Sequence, residues 1–233
     1  MFHFKQFSIE DSGATMKVGT DAILLGALAT PYQQPTRILD IGTGCGIIAL
    51  MMAQRFPNAA IDAIDIDTSS ISVATENILH SPWPDRLHCH NTSLQNHIHK
   101  ADKPYNLIIS NPPYFSNSLR NNNPQKRLAR HDDTLPPTML FECSNQILCD
   151  NGEIWIIIPS TEKKRFTFAA QSANLYLTET IDICTNPHKT PKLTVLSFAK
   201  EYPQTTKESQ FSIHDEQNQY TNWYRNLCFP FLL

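Results

Sequence analysis

Long apolar segments are missing from this sequence. No run approaches the roughly 18 consecutive apolar residues of a transmembrane helix, so the sequence predicts no membrane span. The first residues, MFHFKQFSIED, do not combine a charged start, an apolar stretch and a small-residue cleavage site. They therefore predict no signal peptide, and we expect a cytoplasmic protein.

Paired cysteines and an excess of positive charge are missing as well. The six cysteines include no C-x-x-C pair, and most lie in apolar runs, which is typical of reduced core thiols. We therefore expect no metal. The net charge of −3 argues against indiscriminate nucleic-acid binding but is compatible with a local basic patch. The length of 233 residues, 41% of them hydrophobic, is typical of one globular domain.

What the sequence does contain is an alternation of short apolar runs and helical stretches. Strands are predicted at 37–41, 60–65, 86–90, 106–110 and 153–158, and helices at 20–30, 46–56, 69–79 and 135–148. This alternation predicts right-handed crossovers and a parallel sheet with helices on both faces. Residues 175–184 and 192–200 predict an antiparallel pair at the sheet edge.

A glycine-rich motif, LDIGTGCGIIAL, joins the first of these strands to a helix. Ligands of open α/β sheets bind at the carboxyl ends of the strands, and Gly42, Gly44 and Gly46 would let a ligand approach the backbone. A dinucleotide motif, G-x-G-x-x-G, needs a glycine where Ile47 stands. The spacing G-x-G-x-G after Asp40 instead fits the cofactor loop of S-adenosylmethionine-dependent methyltransferases. A tight turn without a ligand and a nicotinamide oxidoreductase are the alternatives.

The second strand ends in AIDID, which offers two carboxylates. Asp65 lies at the strand tip, about 20 residues after the glycine loop, where a carboxylate can accept both hydroxyls of a ribose. Asp67 is better placed to cap the next helix. We predict that Asp65 is the ribose ligand, with Asp67 as the alternative.

The fourth strand ends in Asn-Pro-Pro-Tyr. Each proline pushes the residue before it out of the α region, so Asn111 and Pro112 are both held extended. An amide oxygen and a backbone carbonyl can together accept the two hydrogens of a planar amino group, which favours attack of its lone pair on a methyl sulfonium. Tyr114 offers a π face for a planar base or amide. We predict Asn111, Pro112 and Tyr114 as catalytic residues; a simple Asn-Pro turn is the alternative.

A polar, asparagine-rich stretch, residues 116–133, follows this motif and predicts a long functional or mobile loop. Its cations are candidate phosphate contacts, although such charges more commonly form a solvated face. The candidate substrate-binding residues are Tyr114, Lys126, Arg127, Arg130 and His131. A second basic group comprises Lys163, Lys164 and Arg165.

Together, residues 40–46, Asp65 and residues 111–114 resemble the class I methyltransferases of the N-P-P-Y type. The segment MKVGTDAILLGALA, residues 16–29, is similar to the opening helix of the bacterial tRNA(Val) adenine(37)-N6-methyltransferases. The resemblance includes residues 76–87 and 127–132 and spans most of the chain from 10 to 200. It implies an α/β, Rossmann-like fold with a mostly parallel seven-stranded sheet, helices on both faces and an antiparallel C-terminal edge hairpin.

The resemblance also implies an activity: methyl transfer from S-adenosylmethionine to N6 of adenine 37 in the anticodon loop of tRNA(Val). Within a single domain, 1–233, it implies that residues 1–35 cover the cofactor, 36–160 form the cofactor-binding core and 161–233 supply edge strands and an extension. We expect a monomer or weak dimer. The implied cofactor ligands are Lys17, Gly19, Thr20, Asp40, Gly42, Gly44, Gly46, Asp65, Ser93 and Asn111. Ser93 stands where many such enzymes have an acidic residue that holds the cofactor adenine.

Other substrates and classes remain open. Glutamine methyltransferases of release factors share the N-P-P-Y motif, but they usually have a sizeable helical domain before the glycine loop, and only about 40 residues precede it here. Guanine-N2 methyltransferases of rRNA and adenine methyltransferases of DNA are further alternatives, although no additional target-recognition domain is evident. A non-catalytic RNA-binding protein on the same fold is the alternative from a different class.

Overall fold

The structure is a computed structural model that describes residues 1–14, 17–113 and 135–233. The strands are β1 (Phe2–His3), β2 (Ser8–Ile9), β3 (Arg37–Ile41), β4 (Ala60–Asp65), β5 (Leu87–Asn91), β6 (Tyr105–Ser110), β7 (Leu148–Pro159), β8 (Tyr176–Cys184), β9 (Leu193–Ala199) and β10 (Lys207–Ser212). The helices are α1 (Thr20–Leu28), α2 (Ile47–Arg55), α3 (Thr68–Leu79), α4 (Leu94–Ile98), α5 (Pro137–Ile147), α6 (Lys163–Ser172) and α7 (Asn222–Cys228).

One large sheet organises the described residues, with the strand order β10-β8-β9-β7-β6-β3-β4-β5. Neighbouring strands are parallel except around β9, which runs antiparallel to both β7 and β8. The predicted mostly parallel sheet with an antiparallel pair is therefore confirmed. An eighth strand, β10, adds to the seven predicted. Its sequence, KESQFS, is too polar to predict as a core strand, but an edge strand needs only one neighbour.

Two apolar cores lie on the two faces of this sheet. Side chains alternate along β6: Leu107 and Ile109 join one core, while Ile108 joins the other. Buried side chains of α1, α2, α3 and α7 belong to the first core, and those of α4, α5 and α6 to the second. Helices thus cover both faces, as the strand–helix alternation predicts.

The element boundaries differ from expectation in one instructive place. The predicted helix 135–148 ends at Ile147, and the chain continues directly into β7, which begins at Leu148 rather than at residue 153. The helices α4, α6 and α7 were not predicted, because short or polar segments carry weak periodicity. Within the described ranges, no helix is long and apolar enough to cross a membrane.

The N-terminal residues pack against the C-terminal ones. Phe4 forms an isolated antiparallel bridge with Leu232, and the Lys5 N–H donates to the Phe231 carbonyl at 2.8 Å. The rings of Phe4 and Phe7 stack with centroids 4.4 Å apart, and both are buried in the first core. This packing fixes the start of the segment that leads into α1.

Candidate active site

The glycine loop and the Asn-Pro-Pro motif leave the sheet side by side. Ile41, at the end of β3, is the register partner of Ile64 in β4 and of Ser110 in β6. The Ser110 hydroxyl also donates to the Ile41 carbonyl at 2.8 Å, which ties the end of β6 to the end of β3. Gly42 and Asn111, the next residues on the two strands, therefore start from the same level of the sheet edge.

The glycine loop has a backbone that only glycine adopts readily. Gly42 and Gly46 have φ angles of +71° and +85°. A Cβ at Gly46 would lie 3.3 Å from Cβ of Ala74, whereas a Cβ at Gly42 would meet nothing within 4 Å. Gly46 thus permits close packing against α3, and Gly42 faces open space through which a ligand can reach the loop.

Asp40 has a buried side-chain oxygen for which the described part of the chain offers no hydrogen-bond partner. It is fully buried, and Oδ2 accepts hydrogen bonds from the Thr43 hydroxyl at 2.6 Å and the Ala49 N–H at 3.1 Å. Oδ1 has no hydrogen-bond partner among the described residues. Burial raises the pKa of Asp40 to about 7, and the negative charge of Asp65 adds to this. An unpartnered carboxylate oxygen beside a glycine loop fits a bound molecule that brings a donor or a positive charge.

The two carboxylates of AIDID have separate partners. Asp65 accepts a hydrogen bond from the Gly44 N–H at 2.9 Å, so its carboxylate lies against the glycine loop. Asp67 caps α3 by accepting from the N–H groups of Ser69 and Ser70. The Asp67 cap is therefore as predicted, and Asp65 remains the predicted ribose ligand.

Ser93 lies at the same edge, just after β5, and caps α4. Its hydroxyl accepts a hydrogen bond from the Asn96 N–H at 3.2 Å. The preceding Thr92 donates its N–H to the Asp65 carbonyl at 3.0 Å, which holds this turn beside the end of β4. The predicted contact of Ser93 with a cofactor adenine stays a prediction. The Ser93 hydroxyl oxygen already accepts a hydrogen bond from α4.

Lys17, Gly19 and Thr20 lie directly before or at the start of α1. Gly19 is the N-cap residue and Thr20 the first residue of the helix. Helix α1 packs against α2, the helix that follows the glycine loop, and a Cβ at Gly26 would lie only 2.6 Å from Sδ of Met51. The N-terminal segment is thus anchored to the element that the glycine loop introduces.

Asn77 is a site residue that no sequence motif predicts. This α3 residue is 5% exposed, and its side-chain oxygen accepts from the Glu10 N–H at 2.8 Å. Its amide nitrogen donates to the Glu10 carbonyl at 2.8 Å and to the Cys45 carbonyl at 2.9 Å. One side chain therefore joins the N-terminal segment to the glycine loop. No sequence pattern distinguishes it from a surface asparagine on the same helix.

Of the predicted catalytic residues, Asn111 is half-buried and Pro112 is buried at the end of β6. The remaining predicted substrate contacts, Tyr114, Lys126, Arg127, Arg130 and His131, lie outside the described residues. In the second basic group, Lys163 pairs with Asp182 at 3.7 Å and Arg165 with Glu162 at 3.0 Å.

A cavity of about 430 Å³ lies on the side of the sheet that α4 covers. Asp62 there accepts hydrogen bonds from the Tyr105 hydroxyl at 2.7 Å and from Arg37 at 3.2 Å, and it contacts His90 at 3.1 Å. Although burial acts to raise the pKa of Asp62, these partners keep it below its usual value. The groups satisfy one another, which indicates a structural network. Among the described residues, no cluster of His, Cys, Asp or Glu could hold a metal ion.

Comparison with solved structures defines the fold. A predicted O-methyltransferase from Agrobacterium tumefaciens superposes with a TM-score of 0.66 at 18% identity, over 91% of this chain and 96% of that one. A ribosomal protein L11 methylase from Lactobacillus delbrueckii gives 0.59 at 16% identity, over 83% and 84%. The fold is that of the class I methyltransferases, as predicted.

Comparison of sequences narrows this class. The family model of the methyltransferase small domain matches residues 12–197. Proteins from Flavobacterium johnsoniae and Bacteroides fragilis, both named tRNA1(Val) (adenine(37)-N6)-methyltransferase, are each 38% identical over all of this chain and over 99% and 97% of their own lengths. The chain therefore belongs to the family of the tRNA1(Val) (adenine(37)-N6)-methyltransferases. It also matches the broader family of the methyltransferase small domain. The resemblance inferred from the sequence motifs is confirmed.

Proposed function

We propose that this protein transfers a methyl group from S-adenosylmethionine to N6 of adenine 37 in the anticodon loop of tRNA1(Val). The choice of substrate rests on relatives that match the chain from end to end and carry this name. They do not favour release factors, rRNA or DNA as the target, nor a non-catalytic RNA-binding role. A tRNA substrate is consistent with a cytoplasmic location of the protein.

The residues at the sheet edge fit the proposed cofactor. The glycine loop offers an open approach at Gly42, and the Asp65 carboxylate beside Gly44 would hold the ribose hydroxyls. Oδ1 of Asp40, which is buried and has no partner within residues 1–14, 17–113 and 135–233, would favour a positively charged ligand. When bound, S-adenosylmethionine supplies a methyl group on a positively charged sulfur.

Asn111 and Pro112 would orient the target nitrogen. The Asn111 side-chain oxygen and the Pro112 carbonyl can each accept one hydrogen of the adenine amino group, which directs its lone pair away from the ring plane. This arrangement needs no strong base, because water can take the proton that the methylated nitrogen sheds. Tyr114 would stack on the extruded adenine, and Lys126, Arg127, Arg130 and His131 would contact RNA phosphates.

The observation that carries the reaction type is the hydrogen bond from Ser110 to Ile41. This bond supports the proposal, because Asn111 then starts from the same level of the sheet edge as Gly42, in the proposed cofactor loop. A donor site and an acceptor site on the same edge are what a direct methyl transfer requires.

The parts of the chain would divide this work as the resemblance implies. We assign cofactor covering to residues 1–35, cofactor binding to 36–160 and the edge strands with their extension to 161–233, all within one domain. The bonds of Asn77 to Glu10 and Cys45 support the first assignment, because they join the N-terminal segment to the glycine loop.

The proposal is tested by incubating the protein and labelled S-adenosylmethionine with an unmodified tRNA1(Val) transcript and, separately, with a release factor. We expect N6-methyladenosine in the digested tRNA, mapped to position 37, and no label in protein. A transcript with guanosine at position 37 is the matched control and should stay unlabelled. Label in the release factor alone would overturn the assignment.

A further inference from the structure

Two strands extend beyond the rest of the sheet at the edge where the proposed site lies. The last residue of β6 pairs with Ile156, but β7 continues for three more residues, to Pro159. β9 accompanies it, since Leu193 is the partner of Pro159. Three strand residues span roughly 10 Å, and β7 lies roughly 5 Å from its neighbour β6. We call this projecting part, residues 157–165 and 189–194, the raised edge.

Two exposed lysines lie at defined positions on the raised edge. The Ser160 N–H donates to the Lys192 carbonyl at 3.1 Å, and the Lys192 N–H donates to the Ile183 carbonyl at 2.9 Å. The backbone of Lys192 thus continues the pairing of β9 with both neighbouring strands. Lys164 is the second residue of α6, which follows β7 after a three-residue connection. Both side chains are exposed to solvent.

The charges of Lys164 and Lys192 remain available for a partner. Neither lysine forms an ion pair with any of the residues that the structure describes, in contrast to Lys163, which pairs with Asp182 at 3.7 Å. Asp182 also accepts a hydrogen bond from the Thr194 hydroxyl at 2.5 Å. The nearest acid is therefore already engaged, and it does not neutralise the two exposed lysines.

The raised edge is positive in a chain that is negative as a whole. Five lysine and arginine residues face two acids, Glu162 and the adjacent Asp182, which leaves a formal charge of +3 where the whole chain has −3. The cations are Lys163, Lys164, Arg165, Lys189 and Lys192. Such a local concentration of charge attracts anions in spite of the net charge.

Three of these cations stand where they are unfavourable for the helix itself. The first turn of α6 consists of Lys163, Lys164 and Arg165 and contains no acid. A helix N-terminus carries a partial positive charge, so local stability favours acids there and disfavours lysines. Departures from local preference are typical of functional surfaces. A negatively charged partner on the exposed lysine would offset this unfavourable placement.

RNA phosphates are the negative charges that the proposed function brings to this place. The amino group of an adenine is on the far side of the base from its ribose, so an adenine held by Asn111 directs its sugar and phosphates away from the sheet. β7 and β9 are one and two strand spacings from β6, roughly 5 and 10 Å. The raised edge therefore lies beside the RNA backbone rather than beside the target base. Phosphate contacts of this kind fix the register of a nucleic acid without reading its sequence.

From these observations we propose that Lys164 and Lys192 contact phosphates of the RNA strand next to the target adenine. Lys163 and Arg165, which are paired with acids of the protein, support this surface without being its main contacts. This inference rests on the proposed tRNA function and adds to it a surface that holds the RNA backbone while Asn111 and Pro112 orient the target nitrogen.

The test measures how the affinity for an anticodon stem-loop RNA of tRNA1(Val) depends on salt, by fluorescence anisotropy. Each phosphate contact contributes ~0.7–0.9 to the slope of log Kd against log salt concentration. The double variant Lys164→Gln/Lys192→Gln is therefore expected to lower this slope by about 1.4–1.8 and to raise the Kd about tenfold or more at ~0.1 M salt. The KM for RNA should rise with it, whereas kcat at saturating RNA and the KM for the cofactor should not change. Lys164→Arg/Lys192→Arg keeps both charges and should resemble the wild type.

A matched control is Lys103→Gln. Lys103 is also an exposed lysine without an ion-pair partner in the described part of the chain, but it precedes β6 at the opposite edge of the sheet. Its Kd and salt slope should equal those of the wild type. An unchanged Kd and slope in the double variant would overturn the inference and leave the two lysines as a solvated face. Wild-type protein that methylates no RNA, while the double variant still loses its salt slope, would instead contradict the proposed function alone.

Discussion

The side-chain amide of Asn77 and the backbone of Glu10 form a reciprocal pair, with a hydrogen bond of 2.8 Å in each direction. The same amide also donates to the carbonyl of Cys45, in the middle of the glycine loop. Because Asn77 is 5% exposed, water cannot replace these bonds. The conformation of the loop therefore depends on a residue that need not touch the cofactor.

Asn77→Ala is expected to lower the free energy of unfolding by ~1–3 kcal/mol, because the backbone groups of Glu10 and Cys45 lose their hydrogen bonds to the Asn77 side chain. It should also weaken cofactor binding, since Cys45 lies between Gly44 and Gly46. Urea unfolding and calorimetric titration with S-adenosylmethionine measure the two effects. Asn145→Ala is the control, because it removes a 3.0 Å hydrogen bond to the Ala173 carbonyl on the other face of the sheet. In this variant stability should fall while cofactor affinity stays unchanged. Unchanged cofactor affinity in Asn77→Ala would show that the loop holds its shape without this residue.

Asn111→Ala should reduce turnover by about 100- to 1,000-fold while the cofactor still binds, because the amide orients the target nitrogen rather than the donor. Single-turnover methylation of tRNA and cofactor titration are the measurements. Asn106→Ala is a matched control at the other end of β6, where the side chain accepts from Thr36 and Arg37. That variant should lose stability but keep its turnover. A loss of cofactor affinity in Asn111→Ala with normal turnover at saturation would refute the assigned role.

Substitutions of Asp65, at the end of β4, and of Asp67, just after it, should have different effects on cofactor affinity. Asp65→Asn is expected to raise the Kd for the cofactor about 10- to 100-fold, because charge-assisted hydrogen bonds to the ribose are lost. Asp67→Ala removes the cap of α3 and should cost ~1 kcal/mol of stability with little change in affinity. The reverse pattern would make Asp67 the ribose ligand.

Asp40 should make stability depend on pH. Burial raises its pKa from 3.8 to about 7, so between these values the folded protein holds a proton that the unfolded chain has lost. The free energy of unfolding should therefore fall as pH rises from about 4 to about 7, and this contribution should level off above pH 7. Urea unfolding of wild type and Asp40→Asn across this range isolates the contribution, because the amide does not titrate. Parallel curves for the two proteins would contradict it.

A positively charged cofactor should reduce the fall in the free energy of unfolding between about pH 4 and about pH 7. It would stabilise the ionised form of Asp40, so saturating S-adenosylmethionine should flatten the wild-type curve relative to Asp40→Asn. The uncharged analogue adenosine, which lacks the sulfonium and the amino acid part, is the control ligand and should not flatten the curve.

The core strands could be predicted because buried parallel strands are continuous apolar runs; β3, β4 and β6 lie within a residue of their predicted bounds. The predicted site elements also followed from local chemistry, since glycines, a strand-tip aspartate and paired prolines each restrict the backbone in a known way. β10 could not be predicted, because an edge strand needs no apolar pattern and KESQFS has none.

Asn77 could not be predicted from the sequence for a different reason. Its role depends on a pairing between distant positions, because Asn77 lies 67 residues from Glu10. Periodicity describes neighbours along one element and contains no information about which elements meet. The register of Ile41 with Ser110 is likewise a property of the folded sheet.

The pairing of Phe4 with Leu232 also sets an order of events during synthesis. Phe4 and Leu232 are 228 positions apart, so at ~5–20 residues per second a ribosome makes them about 11–46 s apart. Throughout that interval Phe4 has no β-bridge partner, and its ring is an apolar surface that a chaperone could bind. A residue that is made among the first is thus among the last to complete its contacts.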